Sequence, residues 1–404
     1  MNARIAYVCV GWLLAVTGAA AGQSVQPEPV SAPAANPPLK FGSVELSPSL
    51  AIRDVGIDSN VYNNSIVVRE DFTYTVAPFV KAETPLGNAR LVGTGGLAFV
   101  YFQTSKDQQS LNGSASGLID VPKGRIRPSL QYAINRSRQR GGDIDVRALS
   151  RTTNGRAGLE VGLSGITSVT GWVTRDITRY DDDEVFRGVQ LASQLDRTTA
   201  TFAGGARLDL TPFTSVVAAA EFERTRFTEA SFRDADSLKI APSVRFAEGA
   251  ILTGQASVGF REFRALSPLV PDYRGLIASG NVRFTLLSAT RITVMASRDL
   301  NYSFDESQPY YLEAGARTTV SHHVTGPVDA IGLVGRFRRQ YETRADVVEP
   351  ARFETITTWG GGVGVRVDDN LRFTFTVDRE RRLSTVGLRQ YDRTRAFAAV
   401  ELVP

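Results

Sequence analysis

The chain has 404 residues, and its 46 basic and 42 acidic residues give a formal net charge of +4. Hydrophobic residues make up 42% of it. Past residue 21, however, no apolar run approaches the roughly twenty residues that a transmembrane helix needs, which excludes a helical membrane protein. The only cysteine is Cys9, so we expect neither disulfide bonds nor thiol chemistry in a mature chain that lacks the N-terminal segment.

Two N-terminal segments are predicted to lie outside the folded domain. Arg4, the apolar run over residues 5–16 and the small residues Ala19 to Ala21 indicate a secretory signal peptide over residues 1–21. Residues 22–40 contain five prolines among Gln, Ala and Ser. This composition is typical of a flexible or polyproline-like tail, which we expect in the periplasm.

From residue 41 onward, short turns recur about every forty residues, with a longer loop between each pair of turns. Forty residues accommodate two strands of about ten residues and one long loop, as in a transmembrane β-barrel. Eight turns separate nine hairpins and predict an all-β outer-membrane barrel of about 18 antiparallel strands over residues 41–404, with the turns and both termini in the periplasm. The turns are Thr84–Asn88, Val121–Arg125, Leu163–Thr167, Leu210–Thr214, Phe246–Ala250, Leu286–Thr290, Thr325–Asp329 and Val367–Asn370.

The segments between turns alternate apolar and polar residues. After the last turn, Leu371, Phe373 and Phe375 alternate with Arg372 and Thr374, so one strand face is apolar and the other polar. A soluble β-sandwich would show the same alternation. The similar character of the strands along the whole chain, the alternation of short and long connections and the secretion signal favour a barrel with a lipid-facing exterior and a polar lumen.

A short motif carries a family resemblance. Residues 55–62 read Val-Gly-Ile-Asp-Ser-Asn-Val-Tyr, and a following strand ends in Val76-Ala77-Pro78. This pair of features resembles the outer-membrane family called putative β-barrel porin 2. The resemblance implies an 18-stranded barrel over residues 41–404 and transport of an exopolysaccharide. The motif residues are Gly56, Asp58, Asn60, Val61 and Tyr62.

A set of arginines near the short turns is the candidate functional site. Alternation points all of them into the lumen at a similar height near the periplasmic mouth. Such a collar would favour anions, including acidic glycans. Acidic residues near the same rim, among them Glu83, Glu160 and Asp209, leave a second interpretation open, in which these arginines form a charge-paired scaffold. The arginines are Arg90, Arg127, Arg207, Arg245, Arg283, Arg291, Arg366 and Arg372.

We expect neither enzymatic activity nor a metal, a cofactor or a nucleic-acid partner. Ser321 is adjacent in sequence to His322, but neighbouring residues of a strand face opposite sides, which disfavours a serine–histidine pair. Asp58 and Asn60 offer oxygen ligands suited to calcium. Such residues also favour turns at the end of a strand, which is the simpler interpretation.

The leading functional prediction is an outer-membrane channel that exports an exopolysaccharide. A general or substrate-selective diffusion porin for small solutes and a closed barrel with a structural or adhesive role are the alternatives. The expected partners are outer-membrane lipid, lipopolysaccharide, a polysaccharide substrate and a separate periplasmic export protein that delivers it.

Overall fold

The computed structural model describes residues 39–247, 251–368 and 370–402, so the predicted signal peptide lies outside the described residues, as does all of the predicted tail except Leu39 and Lys40. Eighteen long strands form the fold. They are β1 Val44–Asp58, β2 Asp71–Leu86, β3 Ala89–Phe102, β4 Ser110–Asp120, β5 Ile126–Gln139, β6 Ala148–Gly162, β7 Thr167–Tyr180, β8 Arg197–Thr211, β9 Thr214–Phe227, β10 Ala235–Phe246, β11 Leu252–Ala265, β12 Tyr273–Leu286, β13 Thr290–Tyr302, β14 Tyr310–Thr325, β15 Val328–Glu342, β16 Phe353–Arg366, β17 Leu371–Ser384 and β18 Tyr391–Leu402.

The strands form one closed antiparallel ring. Each strand pairs with its neighbours in the chain, and β1 closes the ring by pairing with β18 from Leu50 opposite Leu402 to Asp58 opposite Arg395. A closed ring leaves no strand edge exposed, which is what a β-structure needs in lipid. The prediction of an 18-stranded antiparallel barrel is confirmed.

Connections alternate between short and long, as the sequence predicts. One end of the barrel, here called the turn rim, carries eight connections of two to five residues. The other end, the loop rim, carries nine loops of six to sixteen residues. These loops are L1 (59–70), L2 (103–109), L3 (140–147), L4 (181–196), L5 (228–234), L6 (266–272), L7 (303–309), L8 (343–352) and L9 (385–390).

Several short strands and helical turns accompany the eighteen long strands. Leu39–Phe41 pairs with the start of β1, so regular structure already begins at the end of the predicted tail. L4 contains a two-residue hairpin, Val185–Phe186 with Val189–Gln190, and the short helix Leu191–Leu195. L2, L5 and L9 each hold one 3-10 turn. In the part of the chain described, no helix is long and apolar enough to cross a membrane.

The outer wall is apolar and the inner wall is polar. On β17, Phe373, Phe375 and Val377 are 44%, 54% and 41% exposed, whereas the inward residues Arg372 and Asp378 are 6% and 8% exposed. A protein dissolved in water would show the reverse, because charged groups leave water only at high cost. This distribution fits a barrel whose exterior faces lipid.

Gly254 on β11 is a position where the barrel requires glycine. Its φ is +111°, and a Cβ there would lie 2.0 Å from the carbonyl oxygen of Asn281 on β12. We expect Gly254→Ala to cost at least about 1–3 kcal/mol and to lower the temperature at which the detergent-solubilised barrel loses its folded mobility on gels. Gly117→Ala is the matched control, since a Cβ there meets nothing within 4 Å. Equal unfolding temperatures for the two variants would contradict the prediction.

Candidate functional site

All eight predicted arginines lie on the inner wall. Residues directly opposite each other on antiparallel strands share a face. Arg245 lies opposite Ser215 and Arg291 opposite Ser321, two serines that are at most 6% exposed. The same reasoning places the other six inward, and each of the eight lies within four residues of the turn-rim end of its strand. The structure therefore places all eight on the inner wall near the turn rim.

Within the described residues, four of these arginines form ion pairs with carboxylates. Their shortest ion pairs are Arg90 with Asp120 (3.0 Å), Arg127 with Glu160 (2.6 Å), Arg207 with Asp209 (2.7 Å) and Arg372 with Asp329 (3.2 Å). Arg–carboxylate hydrogen bonds of this kind fix geometry as well as charge. For these four arginines, the alternative interpretation of a charge-paired scaffold describes the contacts.

The three arginines on β10, β12 and β13 have uncharged neighbours across the strands. Because their neighbours are hydroxyl and amide side chains, this arc of the turn rim combines positive charge with many hydrogen-bonding groups. Arg366 differs again, since it lies directly opposite Arg372. The opposing pairs are Arg245 with Ser215 and Gln255, Arg283 with Thr253 and Thr293, and Arg291 with Thr285 and Ser321.

The family motif begins at the seam where β1 closes on β18. A Cβ on Gly56 would lie 1.9 Å from the carbonyl oxygen of Ala396, so only glycine permits this close approach of the two strands. Asp58, 2% exposed, accepts hydrogen bonds from Nε of Arg393 at 2.8 Å and from its Nη2. The carboxylate that could have bound calcium thus neutralises a buried guanidinium on β18.

The rest of the motif fastens L1 to the rim. Nδ2 of Asn60 donates to the carbonyl oxygen of Asp392 at 3.2 Å. Val61 is fully buried, and the hydroxyl of Tyr62 donates to Asp107 in L2 at 2.6 Å. The motif residues therefore serve barrel closure and loop anchoring.

Several loops fold inward and pack on one another across the loop rim. Ile144 of L3, Phe186 and Leu191 of L4 and Phe304 of L7 form a hydrophobic cluster in which each residue is at most 6% exposed. The rings of Phe186 and Phe304 meet edge to face at 4.8 Å. L3 follows β5 and L7 follows β13, so these contacts join distant parts of the ring. Together L3, L4, L7 and L9 form what is called the loop cover below.

L3 is tied to L7 and L9 by polar contacts. Asp143 accepts a 2.8 Å hydrogen bond from the hydroxyl of Ser303, and its carbonyl oxygen accepts one from Nη2 of Arg389. The Arg389 guanidinium also lies 5.8 and 5.5 Å from the ring centroids of Phe186 and Phe304. Arg389 therefore connects the polar and apolar parts of the loop cover.

A buried ion cluster lies beside the loop cover. The side chain of Glu354 on β16 is fully buried and contacts Arg352 at 2.7 Å, Arg389 at 3.3 Å and Arg382. Arg382 also donates to Asp145 of L3. Arg339 lies 4.0 Å from the same carboxylate. Glu354 is thus shared by four guanidinium groups, so this cluster depends on Glu354 more than on any single arginine.

Buried arginines in the loops fall into two electrostatic classes. Burial lowers the pKa of Arg233 in L5, which donates to the carbonyl oxygens of Pro309 at 3.0 Å and Asp305 at 2.8 Å. Burial also acts to lower the pKa of Arg352, but Tyr341 and Glu354 outweigh it and raise the pKa. Carbonyl oxygens thus hold an arginine without neutralising it, whereas carboxylates stabilise its charge.

Sequence reasoning missed the loop cover. Its polar members are far apart in the chain: Asp143 and Ser303 are separated by 160 residues. The sequence did contain one signal of buried arginines at this rim. Residues 379–395, which run from β17 through L9 into β18, contain six arginines. Four of these, Arg382, Arg389, Arg393 and Arg395, are at most 4% exposed.

Comparison with known proteins gives a family. The family model described as putative beta-barrel porin 2 matches residues 38–403. The chain belongs to this family. The resemblance carried by the motif is thereby confirmed, and the chain is a porin-like β-barrel of the outer-membrane type.

Solved structures with a similar fold include three outer-membrane proteins. A BenF-like porin from Pseudomonas fluorescens Pf-5 aligns with a TM-score of 0.49 at 10% identity over 90% of this chain and 100% of the other. OpdL from Pseudomonas aeruginosa gives 0.45 at 10% identity over 88% and 98%. A mutant of the ferric enterobactin receptor PfeA from the same organism gives 0.43 at 9% over 89% and 80%. No curated protein matches the chain.

Neutralising Glu354 should loosen the loop cover. In Glu354→Gln, four buried guanidinium groups lose their shared carboxylate, and breaking a buried ion pair in this way costs about 3–5 kcal/mol. We expect trypsin to cut at Arg389 or within L3 while the barrel stays folded. Asp346→Asn is the control, because it removes a carboxylate from an exposed pair with Arg344 and should leave protection unchanged. Equal protection from trypsin in both variants would show that the ion cluster does not hold the loop cover in place.

Proposed function

We propose that this protein is a channel in the bacterial outer membrane that exports an anionic exopolysaccharide. Family membership supports the channel and the location, and the family resemblance supports the polysaccharide. The support for a negatively charged substrate comes from Arg245, Arg283 and Arg291, which form an arc among hydroxyl and amide side chains. Guanidinium groups attract carboxylates, and the uncharged neighbours can exchange hydrogen bonds with sugar hydroxyls.

The dimensions of the barrel are compatible with this role. Barrels of sixteen to eighteen strands are wide enough for an aqueous channel unless loops narrow them. The apolar outer wall would contact lipid and, at the loop rim, lipopolysaccharide. The turn rim would face the periplasm, where a separate export protein would deliver the polymer to the arginine collar.

A diffusion porin for small anionic solutes is the second candidate, and the loop cover favours it. L3, L4, L7 and L9 interlock through the cluster of Ile144, Phe186 and Phe304. Ions can pass around such loops, whereas a polymer requires them to move apart. Export of a polymer therefore requires L3 to move, whereas diffusion of small anions does not.

Charge removal at the turn rim tests the anion preference. We expect the triple variant Arg245→Gln, Arg283→Gln and Arg291→Gln to shift the reversal potential in a potassium chloride gradient towards cation preference, because these charges raise the local anion concentration. The charge-matched control replaces the exposed, outward Arg151, Arg379 and Arg381 by glutamine and should leave selectivity unchanged. Unaltered selectivity in the inner triple variant would remove the support for an anionic substrate.

A reversible cross-link distinguishes export from diffusion. Asp143→Cys with Ser303→Cys places two thiols where the side chains now share a 2.8 Å hydrogen bond, and Cys9 is the only native cysteine. Oxidation should fix L3 to L7 and stop polysaccharide secretion in cells while bilayer conductance persists, and reduction should restore secretion. Asp143→Cys alone is the control. Secretion that continues through the cross-linked channel, or in a strain lacking the gene, would contradict export. A barrel without any conductance would be a closed structural one.

A further inference from the structure

A cavity of about 490 Å³ lies between the inner wall and the two ends of L3. Its walls come from the inward faces of β18 and of β1 to β5, and Arg140 and Arg147 of L3 complete it. Ligand pockets usually occupy roughly 300–1,000 Å³. The cavity therefore has room for a short segment of saccharide, and it lies apart from the arginines of the turn rim.

The lining of this cavity is strongly basic. It includes the carboxylates of Asp54 and Asp58 but six guanidinium groups, and carboxylates fully engage only some of these. Arg393 is paired with Asp58 and Arg395 with Asp378 at 2.6 Å, while Arg138 contacts Glu184 in L4. The six are Arg53, Arg138, Arg140, Arg147, Arg393 and Arg395.

Arg140 and Arg147 are held by neutral oxygens. Arg140 donates to the carbonyl oxygens of Asp145, at 2.9 Å, and Val61. Arg147 donates to the hydroxyl of Ser110 at 3.1 Å and to two carbonyl oxygens. They are 7% and 8% exposed, and among the ion pairs of the described residues neither has a carboxylate partner. These two buried charges are positioned but not neutralised.

Local electrostatics agree with this geometry. Burial, and then repulsion from Arg393, lower the pKa of Arg140. Burial, and then Arg138, lower the pKa of Arg147. A lowered pKa in a base means that its charged form is disfavoured where it lies. An anion bound in the cavity would relieve that penalty.

A distortion in β1 directs two more charged groups into the cavity. The pairing of β1 with β18 shifts register between Ile52 and Val55, and Asp54 has a φ of +56°. As a result Arg53 and Asp54 both line the cavity, although neighbouring residues of a regular strand face opposite sides. Bulges that redirect a side chain in this way are over-represented beside functional sites.

The remaining polar lining suits a sugar. Thr73, Asn112, Ser114 and Asn135 line the cavity alongside the arginines. Hydroxyl and amide groups can both donate and accept hydrogen bonds, as sugar hydroxyls require. A simple inorganic anion would use the guanidinium groups but not this uncharged wall.

We propose that this cavity is a binding site for a carboxylated sugar, with the carboxylate against Arg140, Arg147 and Arg53 and the hydroxyls against the threonine, serine and asparagine side chains. In the proposed function the ligand is a segment of the exported polysaccharide, and only this origin of the ligand rests on the proposed function. Binding itself requires no transport.

Isothermal titration calorimetry of the full-length protein in detergent tests the proposal directly. The probes are a galacturonate trisaccharide, maltotriose as its neutral counterpart and inorganic phosphate. We expect saturable binding of the galacturonate trisaccharide and at least tenfold weaker binding of the other two. Equal binding of maltotriose would overturn the role of charge, and equal binding of phosphate would overturn the role of the sugar.

Variants locate the binding in the cavity. Arg147→Gln and, separately, Arg53→Gln should each weaken the galacturonate trisaccharide at least fivefold. The Arg53 side chain is 46% exposed, so its replacement tests the site even if Arg147→Gln disturbs L3. Arg381→Gln is the matched control, because its side chain is 54% exposed on the outer wall, and it should bind as the parent does. Unchanged affinity in Arg53→Gln and Arg147→Gln, or an equal loss in Arg381→Gln, would overturn the assignment.

The binding experiment and the secretion experiment can fail independently of each other. Calorimetric binding that depends on Arg53, in a protein whose deletion leaves polysaccharide secretion normal, would uphold the site and reject export. Secretion that requires the protein, together with no detectable binding of the galacturonate trisaccharide, would uphold export and reject the site.

Discussion

Closure of the strand ring is the constraint on which the rest of the structure depends. In hydrocarbon every backbone N–H and C=O must find a partner within the protein, so the first strand has to pair with the last. The seam between β1 and β18 meets this demand by strand pairing from Leu50 to Asp58. Gly56 permits the close approach to Ala396, and the ion pair of Asp58 with Arg393 adds a side-chain contact across the seam.

Closure also creates an interior in which charges are removed from bulk water. Arginine suits this setting, because its planar fork can donate to several carbonyl or carboxylate oxygens at once. Only five of the 46 basic residues are lysine. The structure uses the same side chain in three ways: paired with carboxylates, as Arg127 is with Glu160; held by carbonyl oxygens, as Arg140 is; and set among hydroxyl groups, as Arg283 is.

The parts of the fold that could be predicted from the sequence are those governed by local periodicity. Alternation over β17 predicts the outward Phe375 and the inward Arg372, and the recurring turns predict the strand count. The loop cover could not be predicted, because contacts such as Asp143 with Ser303 join residues 160 positions apart and leave no period in the chain. The motif identified the family, but its role at the seam depends on Arg393, which lies 335 residues beyond Asp58.

The loop cover and the basic cavity share one element, L3, and this sets the energetics of any opening. Moving L3 would break buried contacts to Ser303, Arg382 and Arg389, and each buried ion pair lost costs several kcal/mol. A ligand can offset this only through affinity that differs between the closed and open positions. Arg140 and Arg147 lie at the two ends of L3, and neither has a carboxylate partner in the part of the chain that the structure describes. A carboxylated saccharide in the cavity would give both arginines a counter-charge. Its binding free energy would therefore be available to offset the cost of moving L3, the loop that a polymer has to displace.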